Sequence, residues 1–234
     1  MAASVDGRIV VDGWPTAAAA AVRRQYEEVH AAYAADAWLC GRVTMEPFAG
    51  GLRPDAEVAR EGREPRGGAA RDDFRAPGAF ASFAVAVDPG GRLAWASNDV
   101  GGDHVVAILS ERVSDDYLAF LRGRGVSYLL AGARDVDLGV ALDKIGVRFG
   151  VRTLMLEGGG RINGGMLRAG LVDEVSLLVA PIADGRVGTP ALFDTDAERA
   201  EGGAPHRLTL DHVERRADDV LWLSYRVEPR GEGA

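Results

Sequence analysis

The residues best suited to chemistry lie between Glu157 and Gly165, where an apolar run meets a glutamate, three glycines, an arginine and two further glycines. Glycine has no Cβ, so a ligand can lie directly against the peptide backbone. If the glycines join a strand to a helix, the free N–H groups at the helix start could hold a pyrophosphate. The alternative is tight packing of that helix against a sheet. The glycines alone leave both interpretations open.

Two familiar phosphate-binding motifs do not fit this run. A P-loop requires Lys and then Ser or Thr after its last glycine, whereas Gly164 is followed by Gly165 and Met166. The dinucleotide fingerprint G-x-G-x-x-G fails as well, because counting from Gly158 puts Asn163 where the third glycine belongs. Only the general mechanism, a glycine turn leading into a helix N-terminus, remains.

Alternating strand and helix patterns must position these residues. Strands are predicted within 1–13 and at 36–41, 82–88, 104–110, 126–132, 151–157 and 171–181, and helices at 14–36, 114–125, 135–150 and 161–170. Residues 207–227 predict an antiparallel hairpin at a sheet edge. This alternation is typical of an α/β fold with a mostly parallel sheet. No break in composition marks a second domain, so we expect 1–234 to form a single domain with a long loop rich in Gly, Pro and Arg at about 49–80.

The bulk composition excludes several classes of partner. With 234 residues, an apolar fraction of 47% and a formal net charge of −8, the chain can bury a sizeable core. It has no net positive charge for binding nucleic acid or an anionic membrane. No stretch is long and apolar enough to span a membrane, and the Ala-rich run at 17–22 lacks the basic segment of a signal peptide. We therefore expect a cytoplasmic protein.

Metal binding is not indicated. Cys40 is the single cysteine, and the four histidines, at positions 30, 104, 206 and 212, are too widely spaced for a recognised zinc motif. We therefore predict that the protein holds no metal.

Four motifs, in this order along the chain, carry a resemblance to a known family. They are SVDGRI at 4–9, CGRVTMEPF at 40–48, LEGGGRINGGMLRAGLVDEVSLLVAPIADG at 156–185 and GTPALFD at 188–194. The chain resembles the C-terminal reductase domain of the bifunctional riboflavin-biosynthesis deaminase/reductase, the RibD C-terminal family. The resemblance covers essentially the whole chain. It implies a dihydrofolate reductase-like three-layer α/β/α fold, with a mixed, mostly parallel sheet and a C-terminal antiparallel hairpin.

The resemblance also implies NADPH as the hydride donor. The residues it assigns to the cofactor are Ala3, Gly41, Arg42, Thr44, Ser110, Arg112, Gly158, Gly159, Gly160, Arg161, Ile162, Asn163, Gly164 and Gly165. Ser110 and Arg112 are expected near the adenosine 2′-phosphate, where an arginine favours NADPH over NADH. The Gly158–Gly159 peptide is expected to be cis. From the residues alone, Thr44 could instead cap a short helix, and Arg112 could be an ordinary exposed arginine.

Hydride transfer requires the donor carbon close to an electrophilic carbon, and a group that protonates the accepting heteroatom. Glu157, at a strand end, is the candidate for the catalytic role and for substrate contact. Asp6 could orient the substrate or serve as a turn residue before Gly7. Trp14 is the one residue shared with the family's usual substrate segment. Arg53 follows the GRVT motif and is the candidate for binding a substrate phosphate.

The resemblance implies a reductase like the 5-amino-6-(5-phosphoribosylamino)uracil reductase of riboflavin biosynthesis, with hydride transfer to the C1′ imine of the ribose. A pterin reductase of the dihydrofolate reductase type is the first alternative. That chemistry usually uses a buried carboxylate in the first helix, whereas Glu27 and Glu28 lie in a polar stretch. The second alternative is a non-catalytic NADP-binding module.

Two further expectations concern the organisation of the protein. The first motif lies close to Met1, so either the first strand is short or the start of the sequence is annotated late. The zinc-deaminase pattern H-x-E with P-C-x-x-C does not occur, and we therefore expect a reductase domain without the deaminase. The resemblance also implies a homodimer.

Overall fold

The computed structural model describes residues 1–53, 71–195 and 205–229. By its contacts the chain divides into two compact units, one formed by Met1–Ala34 with Gly158–Ala234 and the other by Ala35–Glu157. We call them the terminal unit and the central unit. The single-domain interpretation stays a prediction. Within the long loop predicted at about 49–80, residues 54–70 lie outside the described residues.

The described residues form ten strands and five α-helices. In chain order they are β1 (Ala2–Ala3), α1 (Thr16–Tyr33), β2 (Ala37–Gly41), α2 (Arg42–Ala49), β3 (Phe83–Val87), β4 (Asp99–Val100), β5 (Asp103–Leu109), α3 (Asp115–Gly123), β6 (Ser127–Leu130), α4 (Leu138–Phe149), β7 (Leu154–Gly158), α5 (Gly160–Arg168), β8 (Glu174–Val179), β9 (Leu208–Arg215) and β10 (Leu221–Val227). The predicted α/β class is confirmed.

The central unit is built on a six-stranded sheet. Its order is β4-β5-β3-β2-β7, with β6 also pairing with β5. The pairs β2–β3, β3–β5 and β5–β6 are parallel, whereas the short β4 runs antiparallel to β5. All of β3 is buried, as is β5 from its second residue onward, which explains why both read as continuous apolar runs. Met45, Leu93, Trp95, Tyr117 and Leu121 fill much of the core.

The terminal unit contains a four-stranded sheet in the order β1-β8-β10-β9. The pair β1–β8 is parallel, and β10 runs antiparallel to both β8 and β9. Helix α1 covers this sheet through a core that includes Val22, Val29, Leu178 and Val220. The predicted C-terminal hairpin is present as β9–β10, and β1 has two residues. The strands therefore form two hydrogen-bonded sheets, where the sequence patterns suggested one.

Two element boundaries differ from the sequence prediction for physical reasons. Helix α1 ends at Tyr33 because Ala34 adopts a left-handed conformation, with φ of 44°, and its N–H donates to the carbonyl of Ala31. The strand predicted at 151–157 as buried begins only at Leu154, and four of its five residues are half-buried. Its start is delayed because the amides of Arg152 and Thr153 donate to the carboxylate of Asp36.

Candidate functional site

The glycine run follows β7 and leads directly into α5, as the motif predicts. The Gly158–Gly159 peptide is cis, which confirms the expectation drawn from the resemblance. Gly159 occupies the N-cap position of α5, and Arg161 and Ile162 lie in the first turn. As a glycine, Gly159 contributes no side chain to cap the first amide groups of the helix. The strand–turn–helix geometry that pyrophosphate binding requires is therefore present.

Gly160 and Gly164 are required by packing within the protein itself. A Cβ on Gly160 would lie 2.3 Å from the carbonyl oxygen of Ala191, and one on Gly164 would lie 1.9 Å from that of Asp194. The Asp194 amide also donates to the carbonyl of Gly160 at 2.9 Å. At these two positions glycine allows close packing, but the partner is the 191–194 segment and not the sheet that the packing alternative named; the cofactor role of both glycines stays a prediction.

The same segment fixes Asn163, which is 2% exposed. Its Nδ2 donates to the carbonyl of Leu192 at 2.9 Å. Its Oδ1 is buried and accepts no hydrogen bond from the part of the chain that the structure describes. The amide of Asn163 thus anchors the first turns of α5 to the 191–194 segment, while its cofactor role stays a prediction.

In the central unit, several predicted residues follow the carboxyl ends of parallel strands. Gly41 ends β2 and Arg42 begins α2, whereas Ser110 and Arg112 follow β5. Since β2, β3 and β5 are parallel, these residues lie at one edge of the sheet. Glu157 lies near the end of β7, which is the neighbour of β2 in the same sheet.

The side chains at this edge differ in their exposure and in the contacts that they make within the protein. Ser110 is 2% exposed and donates its hydroxyl to the carbonyl of Pro89 at 2.7 Å. Arg112 is exposed. Thr44 lies inside the first turn of α2, and Gly41 takes the N-cap position, so the alternative in which Thr44 caps a helix is wrong. The guanidinium of Arg53 lies 4.8 Å from the ring centroid of Phe120.

Asp88 is a buried carboxyl at this edge that the sequence analysis missed. It directly follows β3 and is fully buried, and its Oδ2 accepts the amides of Arg92 at 2.6 Å and Leu93 at 2.9 Å. Burial raises the pKa of Asp88, while these amides and the charge of Arg42 oppose the shift. An acidic residue placed immediately after an apolar strand was the available signal.

In the terminal unit, the predicted substrate residues converge on one loop. Asp6 accepts the amide of Asp184 through Oδ1 and that of Gly185 through Oδ2, both at 2.9 Å. These bonds lower the pKa of Asp6 to about 2. Trp14 is 8% exposed, and its indole donates to the Oδ2 of Asp184 at 3.0 Å. Ala3 is buried in β1, where its carbonyl accepts the amide of Ala180.

Those contacts give Asp6 and Trp14 a defined structural role. Asp6 orders its own turn as well, because its Oδ1 accepts the hydroxyl of Ser4 at 2.7 Å, and the amide of Gly7, whose φ is 79°, donates to the carbonyl of Ser4 in the same turn. The turn alternative for Asp6 is thus observed. Direct contact of either side chain with a substrate stays a prediction.

Neither a metal cluster nor a membrane helix is found in the described part of the chain. Within residues 1–53, 71–195 and 205–229, no three His, Cys, Asp or Glu side chains are grouped so that they could hold a metal ion. Over the same ranges, every helix is too short or too polar to cross a bilayer.

The sequence of this chain is similar to proteins of a known family. Residues 1–222 match the RibD C-terminal domain. A curated relative from Methanothermobacter thermautotrophicus, named 2,5-diamino-6-ribosylamino-4(3H)-pyrimidinone 5′-phosphate reductase, is 40% identical over 120 residues. That match covers 51% of this chain and only 54% of the relative, so it spans about half the length of each protein.

Solved structures share the fold at lower identity. A pyrimidine reductase-like protein from Corynebacterium diphtheriae has a TM-score of 0.65 and 19% identity, covering 98% of this chain and 90% of its own. A deaminase/5-amino-6-(5-phosphoribosylamino)uracil reductase from Thermotoga maritima has a TM-score of 0.58 and 18% identity, covering 97% of this chain and 54% of its own. These similarities confirm the predicted fold.

Proposed function

Because the chain belongs to the RibD C-terminal domain family, we propose that it is a nicotinamide-dependent reductase of a phosphorylated ribosylaminopyrimidine. The name of its archaeal relative supports this substrate class. The observation that carries the proposal is the sequence of elements at the end of β7. The carboxylate of Glu157 is separated only by Gly158 and Gly159 from the N-terminus of α5. An acid and a helix N-terminus therefore follow each other directly.

The residues at the start of α5 fit a dinucleotide. The amides of the first helical turn and the positive end of the helix dipole would hold the pyrophosphate. Gly158 and Gly159 place little bulk in front of them, and Arg161 in the first turn adds positive charge. When bound there, reduced nicotinamide supplies a hydride. We infer NADPH as the form used, because Arg112, which follows β5, is exposed and offers a guanidinium group for a 2′-phosphate.

Glu157 is the proposed acid of the reaction. Hydride addition to the ribose C1′ of the open-chain imine places negative charge on the adjacent nitrogen, which must take up a proton. A carboxyl group within hydrogen-bond reach of that nitrogen donates the proton or orients a water that does so. The ribosylamino group then becomes a ribitylamino group.

Two forms of the pyrimidine ring are candidate substrates, and one assay distinguishes them. The archaeal relative is named for a 2,5-diaminopyrimidinone, whereas the uracil form carries an oxygen in place of the 2-amino group. We propose the uracil form. Purified protein with NADPH would be offered both phosphorylated compounds and dihydrofolate in parallel, and the loss of NADPH absorbance would be followed. Turnover of the uracil compound is expected, and turnover of dihydrofolate alone would overturn the proposal.

The exposed carboxylates of α1 provide a matched control for Glu157. Glu27 and Glu28 are both exposed, which disfavours a buried pterin-binding carboxylate in this helix. Glu157→Gln should lower kcat by about 100-fold, the lower end of the usual range for general acid catalysis. Glu27→Gln should leave kcat unchanged. The reverse pattern would favour the pterin reductase, and binding of NADPH without any turnover would favour the non-catalytic module.

We further propose that the protein is a homodimer that uses strand β9. This strand lies at the end of its sheet and is exposed along its whole length, with Leu210 52% and Val213 57% exposed. Unpaired strand edges with apolar side chains favour association with a second copy. Leu210→Glu should convert a dimer into a monomer in sedimentation velocity. A monomeric parent protein would contradict the proposal.

A further inference from the structure

A clamp of two side chains holds the backbone that directly follows the first motif. Asp184, whose side chain is 1% exposed, and Arg186 form a bidentate pair, with Nε donating to Oδ1 and Nη2 to Oδ2, both at 2.6 Å. The pairing raises the pKa of Arg186 and lowers that of Asp184. Parallel N–H···O bonds of this kind are strong and fix the plane of the guanidinium.

The same guanidinium reaches across to the segment just after the first motif. Nη1 donates to the carbonyl of Asp12 at 2.8 Å and Nη2 to that of Val10 at 3.0 Å. Gly13 makes this approach possible, since a Cβ there would lie 3.3 Å from Nη1 of Arg186 and its φ is 87°. Two backbone carbonyls thus depend on one charged side chain from a distant part of the chain.

The clamp belongs to a continuous set of contacts along residues 4–14. The backbone of Ile9 donates to Pro190, and that of Leu192 donates to Gly7. Arg8 donates from Nη1 to the carbonyl of Thr189 at 2.7 Å. Asp6 and Trp14 add hydrogen bonds to Asp184 and Gly185. Together these contacts hold most of residues 4–14 against residues 184–192.

We propose that Asp184 and Arg186 are positioning residues, which shape residues 4–14 as a wall of the substrate site without touching the substrate. This inference rests on the proposed function, since it gives residues 4–14 a substrate to contact. It also reassigns Asp6 and Trp14, whose polar side-chain atoms are engaged with residues of this loop. Their part in substrate binding is to hold the backbone of the segment through Asp184 and Gly185.

Arg186 lies at the surface and not in the hydrophobic core, so its role differs from ordinary core stabilisation. Its side chain is 42% exposed, and the neighbouring Val187 is 98% exposed. None of the four hydrogen bonds of Arg186 reaches the start of α5, which is held through Asp194 and through the carbonyl of Leu192, although the amide of Leu192 also donates to Gly7. Loss of Arg186 should therefore loosen residues 4–14 while leaving the dinucleotide-binding turn intact.

The test compares Arg186→Ala, Arg186→Lys and the control Arg23→Ala, an exposed arginine of α1. Arg186→Ala should raise the KM for the ribosylaminopyrimidine phosphate about tenfold or more, because four hydrogen bonds from a charged group are lost. Its Kd for NADPH should stay within about twofold of the parent value. Arg186→Lys, which keeps the charge, should recover part of the KM. Arg23→Ala should match the parent protein.

Hydrogen–deuterium exchange on the same proteins supplies a readout that needs no activity. Faster exchange at the amides of residues 8–14 in Arg186→Ala, with α5 unchanged, is expected. Faster exchange with an unchanged KM would overturn the positioning role and leave the proposed function standing. Unchanged exchange would overturn the clamp itself. A parent protein that binds and reduces none of the pyrimidine phosphates would overturn the proposed function, and the positioning role with it.

Discussion

The substitution Gly164→Ala tests the packing of α5 most sharply. The added Cβ would lie 1.9 Å from the carbonyl oxygen and 2.9 Å from the carbonyl carbon of Asp194, both backbone atoms that no side-chain rotation can move. Overpacking of this kind costs about 1–3 kcal/mol. Alanine also has a higher helix propensity than glycine, which adds about 1 kcal/mol to the free energy of unfolding. Because the contact is so short, we take the upper end of the first range and expect a net loss of about 2 kcal/mol.

Gly146→Ala in α4 is the matched control. Gly146 is also a helical glycine, but its Cβ would meet only the carbonyl oxygen of Val151 at 3.6 Å, an ordinary contact. This variant should gain up to about 1 kcal/mol from propensity and from a less flexible unfolded chain. Urea unfolding followed by circular dichroism measures both variants. Calorimetric titration with NADPH should show weaker binding for Gly164→Ala alone.

One outcome would refute the reasoning about α5. If Gly164→Ala were stabilised as much as Gly146→Ala, the 191–194 segment could not lie against the helix as described. If Gly164→Ala lost stability but bound NADPH as tightly as the parent, the packing would be correct and the cofactor assignment of α5 would be wrong.

Three further predictions concern the central unit. Burial and the charge of Arg75 lower the pKa of His104. The stability that neutral His104 contributes is therefore present above the unfolded pKa of about 6.5 and is lost as the pH falls below that value. His104→Gln should flatten the fall in the urea midpoint between neutral and acidic pH. Asp73→Ala removes a carboxylate that pairs with Lys144 at 3.1 Å and Arg148 at 2.9 Å, and thermal unfolding should reveal a loss of about 1–2 kcal/mol, whereas an unchanged midpoint would contradict the anchoring role. Cys40 is 2% exposed and burial raises its pKa, so a thiol reagent should modify it only on unfolding, and rapid labelling of the native protein would refute its burial.

Local sequence patterns were sufficient for most of the elements and for the glycine turn, although they did not predict α2 or β4. The apolar run of β5 and the capping side chain of Asp137 before α4 are signals within a few residues, and both elements form as expected. The cis peptide at Gly158 followed from the family resemblance, which local periodicity could not have supplied.

Long-range contacts explain what the sequence could not predict. Trp14 and Asp184 are 170 residues apart, and no periodic pattern links them. Gly164 and Asp194 are likewise joined only by the fold, so the run of glycines looked equally suited to a ligand and to packing. Asp88 was passed over because a single acidic residue before Pro89 resembles an ordinary turn, although the fold buries it completely.

The most direct test of the central claim is to follow the hydride itself. The protein would be incubated with NADPH deuterated at the transferable C4 position and with the phosphorylated ribosylaminouracil, and the product analysed by mass spectrometry and NMR. The account predicts a ribitylamino product that carries deuterium at C1′. A product without deuterium at C1′, or deuterium found only in a reduced pterin, would contradict it.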